Sequence, residues 1–119
     1  QHKGLTQLIV TETMHERKQA MAEMSDGVIA LPGGCGTMEE LLEIINWKQL
    51  GIYLNPIIIL NIEGFYNPLL EMLQHAIDGN FMRPEHQNIW QVATSAQEAV
   101  ELLYTTPIWS KDVRKFAAI

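Results

Sequence analysis

Ile57-Ile58-Ile59-Leu60 is an unbroken apolar run, entered through Pro56 and left through the polar Asn61. A strand with one face in water alternates apolar and polar residues; this one does not. A short β-branched run without alternation fits a strand covered on both faces, the usual situation in a parallel sheet whose crossovers are helices. The rest of the chain supplies those crossovers. Leu5 to Val10 reads as a first strand, and Thr13 with Glu16 forms a capping box that opens a helix from Met14 to about Ser25. Asp26-Gly27 ends that helix, and Val28 to Leu31 is a second short apolar strand. A helix from about Met38 to Leu50 stops at Gly51. After the Ile57 run, Asn67-Pro68 caps and starts a helix to about Asp78, with Gly79 as its stop. Ile89 to Val92 is a further strand. Ser95 and Glu98 form a capping box for a helix ending near Tyr104, Pro107 breaks it, and the tail from Ile108 to Ile119 is expected to hold a short helix. Strand and helix therefore alternate with short connections, which predicts an α/β fold: a Rossmann-like parallel sheet with helices on both faces.

At 119 residues the chain is one domain, 1–119, without repeats, linkers or low-complexity segments. The hydrophobic content of 47% and the mean hydropathy of −0.01 are those of a globular protein. The Ile57 to Leu60 run is far too short to span a bilayer, so no membrane partner is expected. A net charge of −6 with no basic stripe argues against nucleic acid. The single cysteine excludes an internal disulfide and suits a reducing cytosol, and no signal-peptide pattern is visible, so a cytoplasmic location is expected. The chain starts at Gln1 and enters a strand almost at once, as a piece of a longer polypeptide would.

Between the second strand and its helix lies Pro32-Gly33-Gly34-Cys35-Gly36-Thr37-Met38-Glu39-Glu40. Clustered glycines allow positive φ and keep side chains out of the way of a ligand. Thr37 and Glu40 are spaced as a capping box. A glycine-rich turn that opens a helix gathers unpaired amides at the positive end of the helix dipole, which is a ready site for an anion such as phosphate. The same spacing also suits a tight, well-capped turn with no ligand. It matches neither the dinucleotide fingerprint nor the Walker loop.

Some residues break the local pattern. On the first helix Met14, Met21 and Met24 form an apolar stripe with Arg17 in its middle, close to the helix start where a cation is disfavoured. Arg17 either snorkels past the methionines or faces a ligand cleft, and Lys18 flanks the stripe. On the next helix Met38, Leu41, Leu42 and Ile45 form a core stripe, while Ile44, Trp47 and Leu50 lie opposite with Glu40 and Glu43. A helix apolar on two sides is buried on both, by another part of the domain or by a partner subunit. Glu40 either caps its helix or, beside Arg17, serves acid/base or charge-stabilising chemistry. Cys35 reads better as a small buried residue than as a thiolate. His2, His15, His75 and His86 show no metal-ligand spacing, so no metal is expected. Trp47, Trp90 and Trp109 read as core or interface residues.

Met14-His15-Glu16-Arg17-Lys18, followed by Pro32-Gly33-Gly34-Cys35-Gly36-Thr37-Met38-Glu39-Glu40, resembles the paired signature of the LONELY GUY family. These are cytokinin riboside 5′-monophosphate phosphoribohydrolases and bacterial relatives acting on AMP. Asn46-Trp47-Lys48-Gln49-Leu50-Gly51 and Gly64-Phe65-Tyr66 are also similar to family segments, and the resemblance runs from about Leu8 to Tyr104. It implies that Gly33, Gly34, Gly36 and Thr37 hold the nucleotide 5′-phosphate and that Arg17 and Glu40 are the catalytic pair. Lys18 and Glu39 then lie close to substrate, with Met14, Pro32, Cys35, Met38 and Asn46 in the binding set; Asn46 stands where many relatives carry threonine. The implied reaction is hydrolysis of a nucleoside 5′-monophosphate to free base and ribose 5-phosphate, with no cofactor. The alternative is a non-catalytic nucleotide-binding or sensor protein on the same fold. The resemblance also implies a homodimer, and it implies that the N-terminal part of the family domain precedes Gln1. The label of lysine decarboxylase, sometimes attached to such sequences, has no Schiff-base lysine to support it.

Overall fold

The computed structural model describes residues 26–109. Strands β1 (Val28–Ala30), β2 (Ile57–Leu60) and β3 (Trp90–Ala93) form one parallel sheet in the order β1-β2-β3. Helix α1 (Cys35–Gln49) connects β1 to β2, helix α2 (Asn67–Asp78) lies between β2 and β3, and α3 (Ala96–Thr105) follows β3. Ile57 pairs with Val28 on one side and Trp90 on the other, and Leu60 pairs with Ala93. The carboxyl ends of all three strands therefore reach one edge. The expected strand Leu5 to Val10, the helix from Met14 and most of the C-terminal tail lie outside the described residues.

Every residue of β2 is buried, as its composition requires. Side chains alternate across the sheet, so Ile57 and Ile59 join one core with Leu41, Ile44 and Ile45 of α1 and Leu73 and Ile77 of α2. Ile58 and Leu60 join a second core with Ala93 and with Ala99 of α3. Each such isoleucine contributes about 1.5–3 kcal/mol by leaving water. Helices thus cover both faces of the sheet.

The helix ends follow the physics of capping, with shifts from the sequence reading. After α1, Gly51 is left-handed at φ 79°, Gly51 N–H donates to Lys48 O at 3.1 Å and Ile52 N–H to Trp47 O at 2.8 Å. This is the paired closure that satisfies the last carbonyls of a helix. After α2 the same closure uses Asn80, at φ 68°, with Asn80 N–H on Ile77 O and Phe81 N–H on Ala76 O. Gly79 is therefore the cap before the stop, with φ −86°, and the left-handed residue is the following asparagine, whose short polar side chain tolerates that region. Ahead of α3, Ser95 Oγ accepts from Glu98 N–H at 3.1 Å as expected, but the Glu98 carboxylate takes Thr94 N–H at 2.8 Å and the Thr94 hydroxyl at 3.2 Å. Helix α3 extends to Thr105, and β3 is displaced by one residue from its expected span.

Helix α1 departs most from expectation. It starts at Cys35, with Gly34 as N-cap and no side-chain cap, so Thr37 and Glu40 lie inside it and do not form a capping box around Thr37. Its buried stripe is Leu41, Ile44, Ile45 and Lys48. Leu42, expected in the core, is 42% exposed. Ile44 is fully buried and Trp47 packs against the same core, so this chain itself covers the face that a partner was one candidate to cover. Trp90 is buried and Trp109 packs against the core, as their reading as structural residues required.

Candidate active site

The turn from Leu31 to Gly34 leaves the carboxyl end of β1 and delivers the chain to α1. The first helical hydrogen bond runs from Met38 N–H to Gly34 O at 3.1 Å. The amides of Cys35, Gly36 and Thr37 precede it and have no acceptor within the helix. With a glycine at the cap, no side chain among the described residues caps them. The positive end of the helix dipole is therefore open toward the carboxyl edge of the sheet, where ligands of such folds bind.

The glycines are not there for backbone conformation. Among the described residues only Gly51 and Gly64 are positive-φ glycines, which corrects the expectation for Gly33, Gly34 and Gly36. Gly33 has a packing reason: a Cβ there would run into Thr37 Oγ1 and stand 3.0 Å from Thr37 Cβ. Gly34 and Gly36 have none among the described residues, since a Cβ at either meets nothing there within 4 Å. In a helix, glycine costs about 0.5–1 kcal/mol relative to alanine. Position 36 thus holds a costly residue inside α1 beside space and amides that no other described residue fills or caps.

The other expected residues of this segment differ in exposure. Pro32, Gly34, Cys35, Gly36, Glu39 and Asn46 are exposed; Gly33, Thr37, Met38 and Glu40 are half-buried. Exposure of Cys35 overturns its reading as a small buried residue, because the first turn of α1 stands clear of the core. Glu40 lies one turn along from Gly36 and Thr37 on the same side of the helix, and helical Cα–Cβ bonds tilt toward the N-terminus. Asn46 lies two further turns away, on the exposed face shared by Cys35, Glu39 and Leu42. Met14, Arg17 and Lys18 lie outside the described residues.

Two residues at this edge were not singled out for the site from the sequence. Asn61, the first residue beyond β2, donates its N–H to Ala93 O at 2.7 Å and accepts Tyr66 N–H on Oδ1 at 2.7 Å. Its Nδ2 donates to Asn67 Oδ1 at 2.8 Å. Tyr66 is buried, stacks edge-on against Phe65 at 5.0 Å, and donates its hydroxyl to Leu31 O at 2.5 Å. Burial pushes the Tyr66 phenol up from its ordinary pKa, so it stays a proton donor.

Residues 1–103 match the family model described as "Possible lysine decarboxylase". The chain belongs to this family, the LONELY GUY family. It is 50% identical over 90 residues to the probable cytokinin riboside 5′-monophosphate phosphoribohydrolase LOGL2 of Oryza sativa subsp. japonica, covering 76% of this chain and 37% of that protein. It is 48% identical over 97 residues to the cytokinin riboside 5′-monophosphate phosphoribohydrolase LOG5 of Arabidopsis thaliana, covering 82% of this chain and 42% of the relative. LOG1 of Arabidopsis thaliana, with the same description, is 51% identical over 90 residues, 76% of this chain and 42% of the relative. The aligned part of this chain thus spans about two-fifths of each of these relatives. Among the described residues no lysine stands at the turn to match the decarboxylase wording of the family model. Lys48, the lysine within the described residues, sits in the last turn of α1, roughly 20 Å along the helix axis from its start. The Gly64-Phe65-Tyr66 segment that resembles the family is the one that carries Tyr66 to Leu31. That resemblance was the available signal for Tyr66; for Asn61 it was a polar residue placed immediately after a fully apolar strand.

Proposed function

We propose that this chain carries the phosphate-binding and carboxylate part of a hydrolase that cleaves the N-glycosidic bond of a purine nucleoside 5′-monophosphate, AMP or a cytokinin riboside monophosphate. The products are the free base and ribose 5-phosphate. The observation that carries the reading is the open space at Gly34 and Gly36 beside the uncapped start of α1, which among the described residues neither positive φ nor packing explains. A 5′-phosphate placed there accepts from the amides of Cys35, Gly36 and Thr37 and meets the helix dipole. The names of the relatives support the substrate class.

In the reaction the bond between C1′ and the base nitrogen breaks, and its electron pair leaves with the base. Water gives its hydroxyl to C1′, and its proton offsets the charge on the base. The transition state resembles an oxocarbenium ion, so a carboxylate near C1′ stabilises the growing positive charge or activates the water. Glu40 takes that role; its position inside α1 removes the Thr37 capping box as its explanation. Arg17 orients the nucleotide and offsets negative charge, with Lys18 and Glu39 nearby. The scheme calls on no metal ion or redox cofactor. Homodimer formation and a cytosolic setting complete the proposal, on the family resemblance and the single cysteine; the exposed apolar residue that α1 offers an interface is Leu42.

Incubating the polypeptide that carries this sequence with AMP and following adenine and ribose 5-phosphate tests the reading. Equimolar release of both is expected. Tight AMP binding without release establishes the non-catalytic nucleotide binder instead.

A further inference from the structure

We propose that Tyr66 is a positioning residue for the phosphate-binding turn, acting through the carbonyl of Leu31 and held in place by Asn61; this rests on the phosphate reading above.

The turn is an irregular segment at the sheet edge, and Leu31 is 57% exposed. Two fixed points define its path. At its far end, Gly34 O is held by Met38 N–H. At its near end, Leu31 O accepts the Tyr66 hydroxyl. Between them Pro32 has its φ locked by its ring and biases Leu31 toward extended backbone. Once the Leu31 carbonyl is aimed, the ψ of Pro32 and the two torsions each of Gly33 and Gly34 remain free. The Thr37 side chain lies against Gly33 and limits these further. The path by which the turn enters the amides that follow thus depends on the phenolic hydroxyl at its near end as well as on the helix at its far end.

That hydroxyl is itself fixed. Tyr66 is 1% exposed, its N–H donates to Asn61 Oδ1, and its carbonyl accepts Leu70 N–H at 2.9 Å. A backbone N–H can only donate, so the Asn61 oxygen must face Tyr66 and its nitrogen must face Asn67 Oδ1. Asn61 in turn is bonded to β3 through Ala93 O. The chain reaches Tyr66 through two consecutive left-handed residues, Glu63 at φ 51° and Gly64 at φ 74°. Glu63 is not a glycine, and such a conformation costs about 1–2 kcal/mol. The turn that carries Tyr66 to Leu31 is therefore held against its local preference by the surrounding bonds.

The test compares wild type with Tyr66→Phe, which removes only the hydroxyl from a buried ring, using ribose 5-phosphate binding by calorimetry and AMP turnover. Losing one hydrogen bond to the turn is expected to weaken ribose 5-phosphate binding about 5- to 10-fold. Because phosphate is held equally in ground and transition states, KM for AMP rises by a similar factor while kcat changes little. Amide exchange at Gly34, Cys35 and Gly36 quickens in the ligand-free variant. Asn67→Ala, at an exposed residue that orients Asn61, shifts binding in the same direction by less, and it decides the matter if Tyr66→Phe does not fold. A Tyr66→Phe protein that melts earlier yet binds ribose 5-phosphate as wild type does overturns this proposal alone. A wild-type protein that binds neither ribose 5-phosphate nor AMP overturns the phosphate reading and this one with it.

Discussion

The ammonium of Lys48 lies 5.5 Å from the centroid of the Trp109 ring, joining the last turn of α1 to the segment after α3. Lys48 Nζ also donates to Asn55 O at 2.9 Å, and the residue is only 1% exposed. Burial lowers its pKa from 10.5 to about 8. Below the folded pKa the protein holds a buried charge that the unfolded chain holds in water. Between about pH 8 and 10.5 the unfolded state binds more protons than the folded state, so this residue's destabilisation is relieved as pH rises through that window. Urea titrations across pH 7 to 11 should show stability rising for wild type relative to Lys48→Met over that interval. Parallel curves for the two proteins would contradict the burial argument.

Gly36→Ala separates folding from binding. The new methyl meets nothing among the described residues, and alanine is the better helix former, so stability should rise by about 0.5–1 kcal/mol, a few degrees in Tm. The same methyl occupies the space assigned to phosphate, so AMP affinity should fall, and Gly36→Val should abolish it while leaving helix content intact. Calorimetric titration with AMP alongside a thermal melt reads both effects. A destabilised variant with unaltered affinity would refute the assignment.

Glu40→Gln tests catalysis. If Glu40 stabilises an oxocarbenium-like centre, turnover of AMP should drop on the order of 100-fold or more. The glutamine keeps shape and helix propensity, so the melting temperature should move little. Release of adenine at the wild-type rate would end the case for Glu40 as the stabilising carboxylate.

Gly64→Ala should be costly for two reasons. Its φ of 74° is unfavourable to a side chain, and a Cβ there would stand 2.8 Å from Asn67 Nδ2. A loss of about 1–2 kcal/mol is expected from the backbone alone. The variant also disturbs the segment leading to Tyr66, so ribose 5-phosphate affinity should fall with stability. A variant as stable as wild type would show that the turn relaxes freely.

The sheet was legible because its signal is chemical and local. An apolar run such as Ile57 to Leu60 has few places to go but the centre of a parallel sheet, and Gly51 and Ser95 mark helix ends by the conformations and bonds they offer. The start of α1 was misread for an equally local reason. Thr37 and Glu40 have the spacing of a cap, and no spacing rule reveals that the helix already begins at Cys35. The buried stripe runs through Leu41, Ile44, Ile45 and Lys48 instead of Leu42, and a lysine on that face was hard to read as buried because its charge belongs in water. Asn61 and Tyr66 were harder still. Their importance lies in bonds to residues distant in sequence, Tyr66 to Leu31 and Asn61 to Ala93, which no window of neighbouring residues contains.

Strand β2 belongs to two cores at once, and among the described residues they are unequal. The α1/α2 side holds Tyr53, Tyr66 and Trp90 with many aliphatic residues, while the α3 side is built on Ile58, Leu60, Ala93 and Ala99. Unequal layers on a shared strand imply an order of opening: α3 should exchange its amides through a sub-global event that leaves β1, β2 and α1 paired. The glycine turn is bonded to the more firmly held layer through Tyr66. Helix α3 can therefore open transiently while the glycine turn keeps its shape.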